Sequence, residues 1–491
     1  MSEQKSLKQK AVTGMIWAAL QKYATMLIQF ISGIILARLL TPYDYGCIGM
    51  LSIFMILSEA FIDGGFGSAL IQKKNPTQVD YSTIFYWNIF MSFAMYALLF
   101  LSAPTIAKFY KIPLLCDVLR VQGIVLFLFA FNIIQSNLLR KRLNFRVLSI
   151  VAISTSVISL CVTIFLAYKG YGVWSLVVQN IITSAIPAVV FWFVIKWRPS
   201  LTFSWESFKG LFSFGSYMFL TSLLNQFGMQ IQGLLIGKVY NPTTMGYYSK
   251  AHGTEKLASS SISSVMMQVT YPLYAEVQDN KMQLSNMIRR ITMTLSYITF
   301  PLLFILLLCA KPIFLLLYSE RWLQSVPYFQ VLCIAGLAFS LQSVNNNSIA
   351  AVGKSRTMFY WTIIKRVVGI GLMVCGLFFG GMKGLLAGVV SGTWFAYFVN
   401  IGLVSKYIGY KWYDQLRNIM PVAVTSAVCA IIAYGVGLLL NLSMYLECII
   451  MVVSYIVVYL GWSYIFKPEA YEYFKGIIMP MITNIRKKRK K

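Results

Sequence analysis

The sequence predicts an all-α polytopic membrane protein with about fourteen transmembrane helices, and three observations predict it. Apolar side chains make up 58% of the 491 residues and charged ones 12%, with a mean hydropathy of +0.69. Soluble domains carry about 25% charged residues. Apolar runs of roughly 20 residues or more recur from end to end, each long enough to cross a bilayer core of about 30 Å. The third observation is a helix break written twice. Arg38-Leu39-Leu40-Thr41-Pro42-Tyr43-Asp44-Tyr45-Gly46 returns 200 positions later as Lys238-Val239-Tyr240-Asn241-Pro242-Thr243-Thr244-Met245-Gly246. In both copies a basic residue stands four before the proline and a glycine four after it. A membrane β-barrel would need alternating segments of about 10 residues, which the chain lacks.

In chain order, the first six spans fall near 12–40, 44–71, 82–109, 113–139, 147–168 and 172–195. The next six fall near 208–238, 245–275, 287–317, 324–351, 357–380 and 384–405, and a last pair near 416–440 and 444–466. The first span must stop before Pro42, which removes a backbone donor and disfavours helix in the residue preceding it. A repeat that spans an even number of helices gives two halves pointing the same way, related by a pseudo-two-fold along the membrane normal. The expected organisation is two six-helix lobes, 1–200 and 201–410, then two appended helices at 411–466 and a basic tail at 467–491.

The +27 net charge does not call for nucleic acid, because its placement explains it. With the N-terminus inside, the cytoplasmic segments and adjoining helix ends hold 30 Lys and Arg and the outer ones 8. That is the positive-inside pattern, and it expects both termini in the cytoplasm. The run Arg486 to Lys491 reads as a topology anchor at the anionic inner leaflet. The apolar run after Lys5, Lys8 and Lys10 is too long for a signal-peptide core and lacks an A-x-A site, so it reads as an uncleaved first helix. The eight cysteines form no C-x-x-C pair or Cys/His cluster and read as small apolar side chains, with no metal site or cofactor expected.

Polar residues inside the spans are the candidate site. An ionisable group at a span's centre costs about 2.5–3.5 kcal/mol on insertion scales and needs a partner or a water-filled cavity. In the first helix Lys22, Thr25, Gln29 and Ser32 form one stripe, facing a lumen unless Lys22 snorkels to the inner surface. In the second, Glu59 and Asp63 stand one turn apart. They either couple as a proton or sodium site, or Asp63-Gly64-Gly65 marks an unwound bend. Ser222, Gln226, Gln230 and Gly233 make a second stripe. Lys250, His252, Glu255 and Lys256 follow, with His252, Glu255 and Lys256 expected on one face. Asp117 and Arg120 are expected to pair. Gln342, Asn345, Asn346 and Asn347 can hydrogen-bond sugar hydroxyls or neighbouring helices. Arg38 and Lys238, matched across the repeat, are candidates for an outer gate. No P-loop, nucleophile elbow or kinase motif is present, and the loops are too short to house catalysis. No enzyme activity is expected.

Several stretches together resemble the polysaccharide transporter family of bacterial flippases, within the multidrug/oligosaccharidyl-lipid/polysaccharide exporter superfamily. They are Arg38 to Gly46, Ala69-Leu70-Ile71-Gln72, Leu138-Leu139-Arg140 with Leu143-Asn144-Phe145, Gly170-Tyr171-Gly172-Val173-Trp174-Ser175-Leu176, Gly237-Lys238-Val239 with Gly246-Tyr247, and Arg321-Trp322. The resemblance covers about residues 10–410. It implies a two-lobed fold, alternating access, and export of an undecaprenyl-diphosphate-linked oligosaccharide to the outer leaflet of the bacterial cytoplasmic membrane. In that frame Lys22, Lys250 and Lys256 would hold the diphosphate, and Gln29, Gln226, Gln230 and Asn345 would meet sugars. Glu59, Asp63, His252 and Glu255 would couple to H+ or Na+. Membrane lipids and glycan polymerase machinery are the other partners considered. A cation-coupled multidrug exporter of the same superfamily is the alternative.

Overall fold

The structure is a computed structural model that describes residues 2–440 and 442–476, so the basic run Arg486–Lys491 lies outside the described residues. The described residues form helices and no strand. The first eight are α1 (Ser2–Leu39), α2 (Pro42–Asp63), α3 (Phe66–Gln72), α4 (Gln78–Tyr110), α5 (Leu114–Gln122), α6 (Ile124–Lys141), α7 (Phe145–Tyr168) and α8 (Val173–Val194). Then come α9 (Trp205–Val239), α10 (Pro242–Glu276), α11 (Lys281–Leu308), α12 (Ala310–Tyr318), α13 (Ser325–Ala351), α14 (Ser355–Ile408), α15 (Trp412–Leu440) and α16 (Met444–Phe466). Among the described residues 11 helical segments are long and apolar enough to cross a membrane. Both α9 and α10 match them in length, 35 residues each, but not in apolarity, since the polar stripes lie on them.

α14 is two helices folded back on each other. Gly381 interrupts it at φ 57°, a left-handed backbone that suits glycine. Positions on either side of this turn then touch. A Cβ on Gly376 would overlap the Gly384 carbonyl, one on Gly388 would overlap Leu372, and one on Gly392 would press on Gly369. The glycines let two antiparallel arms meet backbone to backbone. The apolar runs near 357–380 and 384–405 fall on these arms.

Two compact units divide the chain, Met1–Ser249 and Lys250–Lys491. In the first, α1 lies along α7 and α2 lies along α9. Ser52 bonds Gln230 at 3.3 Å, the Phe61 and Phe219 rings sit 5.1 Å apart, and Gly65 abuts the Gly215 backbone, so α2 and α9 run antiparallel. The repeated break sits at one end of this seam. A Cβ on Gly46 would overlap the Pro242 backbone, and a Cβ on Gly246 would overlap the Pro42 backbone. Each copy's glycine thus admits the first helical turn of the other copy. Both turns are capped locally. Thr41 and Asp44 form a capping box, and the Asn241 side-chain Oδ1 accepts from Thr244 N–H at 2.8 Å.

The second unit packs around Tyr297, Tyr397, Tyr455 and Tyr459, all buried. Gln330 donates to the Leu307 carbonyl at 3.2 Å and Ser340 to Thr299 at 3.5 Å, so α11 and α13 are antiparallel. The expected Asp117–Arg120 pair is not among the ion pairs of the described residues. Asp117 is exposed, and Arg120 turns under to lie 4.3 Å over the Phe100 ring. There the ring face holds the guanidinium in place of a carboxylate.

Candidate functional site

In the first unit the candidate residues separate into packing and open groups. Of the α1 stripe, Ser32 is buried, Lys22 and Thr25 are half-buried and Gln29 is exposed. Thr25 spends its hydroxyl on the Gln21 and Lys22 carbonyls, as helix-interior threonines do. On α9, Gln230 is bonded to Ser52, and Gly233 lies against Met245 and the Gly49 carbonyl. This end of the stripe is a helix seam. Ser222 and Gln226 lie further along α9, where α2 presents Glu59.

Glu59 and Asp63 have different surroundings. α2 ends at Asp63, and Gly64 and Gly65 follow at φ 54° and 75°. The Asp63 carboxylate accepts from the backbone N–H groups of Gly65 and Gly67, with Arg140 nearby. It therefore caps the short helix α3, whose other end is capped by the Lys141 ammonium donating to Leu70 O at 2.9 Å and to the Lys73 carbonyl. Glu59, one turn earlier and half-buried, has no hydrogen bond or ion pair among the described residues.

Both gate candidates are exposed, at the ends of α1 and α9. Lys238 donates to the Phe109 carbonyl at 2.9 Å, with its Nζ 3.8 Å over the Phe109 ring. It closes off the last turn of α4.

In the second unit Lys250 is the deepest cation of the predicted set, 8% exposed. Its Nζ lies 4.2 Å over the Tyr318 ring and 5.5 Å from that of Trp322, which is fully buried. Thr254, one turn on, bonds the Tyr318 hydroxyl at 3.0 Å, fixing the ring. Glu255 is buried against Gly336 and Cys333 of α13; one of its carboxylate oxygens is sealed from solvent without a hydrogen-bond partner, while Ser259 contacts the carboxylate. His252 is half-buried and Lys256 exposed, so the four ionisable residues spread over the helix, and Glu255 turns into the packing. Asn345 is fully buried, and its side-chain Oδ1 accepts from the Gln415 amide of α15 at 3.0 Å.

Lys365 and Arg366, two basic residues that a count of loop charges does not set apart, stand about ten residues into α14, half-buried. Lys365 donates to the fully buried Asn400 on the other arm at 2.7 Å. The signal available was their position inside an apolar run.

Span-length apolar helices, with no strand among the described residues, define a polytopic membrane protein. The model of the polysaccharide biosynthesis protein family matches residues 35–327, and the chain belongs to that family. It is 25% identical over 444 residues to the teichuronic acid biosynthesis protein TuaB of Bacillus subtilis (strain 168), covering 88% of this chain and 90% of TuaB. It is 20% identical to the lipopolysaccharide biosynthesis protein WzxC of Escherichia coli (strain K12), covering 89% of each. Among solved structures, the inward closed lipid II flippase MurJ is similar with a TM-score of 0.75 at 16% identity, over 92% of this chain and 98% of that one. An inward-facing multidrug resistance transporter of the MATE family gives 0.62 at 16% identity, over 84% and 99%. These likenesses establish the fold.

Proposed function

We propose that this protein is a flippase that moves an undecaprenyl-diphosphate-linked oligosaccharide from the inner to the outer leaflet of the bacterial cytoplasmic membrane by alternating access, for cell-surface polysaccharide. In this reading α9 and α10 complete fourteen crossings, residues 1–200 and 201–410 are the two lobes, and both termini are cytoplasmic. Family membership supplies the process. The observation that carries the choice of an anionic cargo is Lys250, a cation buried at 8% exposure and backed by Tyr318 and Trp322. A buried charge in a membrane helix marks a functional position, and its sign selects the charge it meets. An inside-negative potential favours outward movement of negative charge by about 2.3 kcal/mol per charge per 100 mV. The test is leaflet accessibility of the lipid-linked oligosaccharide in vesicles. Lys250→Ala should cut outer-leaflet delivery by about tenfold, the loss of one charge-assisted contact, and Lys250→Arg should retain most of it. Unchanged delivery in Lys250→Ala overturns the assignment.

One observation favours the second reading, a cation-coupled multidrug exporter: Glu59 is half-buried with no partner among the described residues. That reading requires cells lacking the protein, or carrying Glu59→Gln, to become sensitive to cationic dyes while surface polysaccharide is unaffected.

A further inference from the structure

A cavity of about 760 Å³ lies in the second unit, where α11 and α15 begin and α16 has just ended. Its mouth is charged and its floor is not. Arg289, Asp414, Arg417, Asn418 and Glu469 line the entrance, while Met293 and Val422, a turn deeper on α11 and α15, are buried and apolar. Two of the charges satisfy each other, since Arg289 and Glu469 are bridged at 2.6 Å and Glu469 also accepts from the Tyr473 hydroxyl at 2.6 Å. Two charged side chains are left over. Asp414 and Arg417, three apart on α15, are not among the ion pairs of the described residues, although i and i+3 side chains are helix-surface neighbours about 5–6 Å apart.

An acid and a guanidinium on one wall, neither in an ion pair among the described residues, suit a ligand carrying both signs. The depth of the cavity narrows the choice. Trp412 and Tyr413, immediately before Asp414, are 53% and 47% exposed, and exposed Trp and Tyr at span ends mark the headgroup layer. A ligand at that depth, with a charged end outward and an apolar end against Met293 and Val422, is an amphiphile of the bilayer.

We propose that this cavity binds a phospholipid with a phosphoethanolamine headgroup. The phosphate accepts from the Arg417 guanidinium, the primary ammonium donates to Asp414, and the first acyl methylenes cover Met293 and Val422. The lining is neutral in sum, +2 from the arginines and −2 from Asp414 and Glu469, which selects a zwitterion over an anionic lipid. The site lies outside the set of residues assigned to cargo and stands or falls independently of the flippase reading.

Native mass spectrometry of the full-length chain released from detergent micelles tests it, with phosphatidylethanolamine, phosphatidylglycerol and soluble phosphoethanolamine as probes. Phosphatidylethanolamine should be retained about tenfold more strongly than phosphatidylglycerol, and Arg417→Gln or Asp414→Asn should each reduce its retention about tenfold, as expected for a charge-assisted hydrogen bond. Equal retention of the two lipids, or retention unchanged in both variants, overturns the proposal. So does capture of soluble phosphoethanolamine without capture of the lipid. The headgroup comparison uses the unaltered chain, so it decides the matter even where a variant fails to fold.

Discussion

A lysine inside a membrane helix must either reach water or be held by something that replaces water. Lys250 is held by rings, and an ammonium over a desolvated aromatic face gains on the order of 2 kcal/mol. Its place in a long helix was legible in the sequence, but Tyr318 and Trp322 were not, because they arrive from the end of α12 and the turn beyond it. Asn345 shows the opposite case. It was as good a sugar-binding candidate as any amide in a span, yet both it and Gln415 are fully buried and bonded to each other. Nothing in a single sequence tells a lumen amide from one that ties two helices. The structure makes Asn345 a tie. Asn345→Ala should therefore lower the stability of the purified protein by about 1–3 kcal/mol, the cost of leaving a buried amide unsatisfied, read as a drop in its melting temperature. Surface polysaccharide in cells grown at a permissive temperature should be unchanged. Loss of polysaccharide with unaltered melting would instead place Asn345 on the cargo.

Among the elements, the doubled break is the most informative. The proline's part could be read directly, since it ends one helix and opens the next at its first turn. The glycine four residues on had no local explanation, because α2 needs no glycine there to be a helix. Its reason is the other copy: Gly46 and Gly246 each lie against the backbone of the other copy's proline. A side chain on either one forces two first turns apart. Gly46→Ala and Gly246→Ala should each destabilise the protein by about 1–3 kcal/mol, the range for overpacking a closed contact. Gly402→Ala, on a helix with nothing within 4 Å of the new methyl, should be neutral or stabilising by up to ~1 kcal/mol. Thermal melting of the three variants in one detergent compares them directly, and equal melting would refute the reciprocal contact. The α9 stripe teaches the same lesson in reverse. Its 3.6-residue period was legible, but period alone does not say whether polar side chains face water or a neighbouring helix, and Gln230 faces Ser52.

At the scale of the molecule, membrane topology is a matter of parity, and the second unit fixes its own. The start of α11 and the start of α15 line one cavity, so an even number of crossings separates them. α11 with α12 supplies one crossing and α13, antiparallel to it, supplies another. α14 must then supply two, as its arms show: Lys365 meets Asn400 and Gly376 meets Gly384 on either side of Gly381. The charge pattern agrees independently. Arg289, Arg290, Lys354, Arg356, Lys406, Lys411 and Arg417 all belong to the end shared by α11 and α15, whereas the turn at Gly381 has Lys383 beside it. Basic loops are retained in the cytoplasm, so the shared end should be cytoplasmic and the Gly381 turn external. Single cysteines introduced into a cysteine-free background, at Phe379 beside the turn and at Lys411 before α15, should therefore react from opposite sides of intact cells. Phe379→Cys should take an impermeant maleimide added outside, and Lys411→Cys should take it only after permeabilisation. Were the 53-residue run Arg356–Ile408 a single crossing, α15 would start on the opposite face from α11 and the two could not line one cavity. Labelling of Lys411→Cys from outside would then go with the loss of the lipid site as well, so this one experiment bears on the topology and on the cavity together.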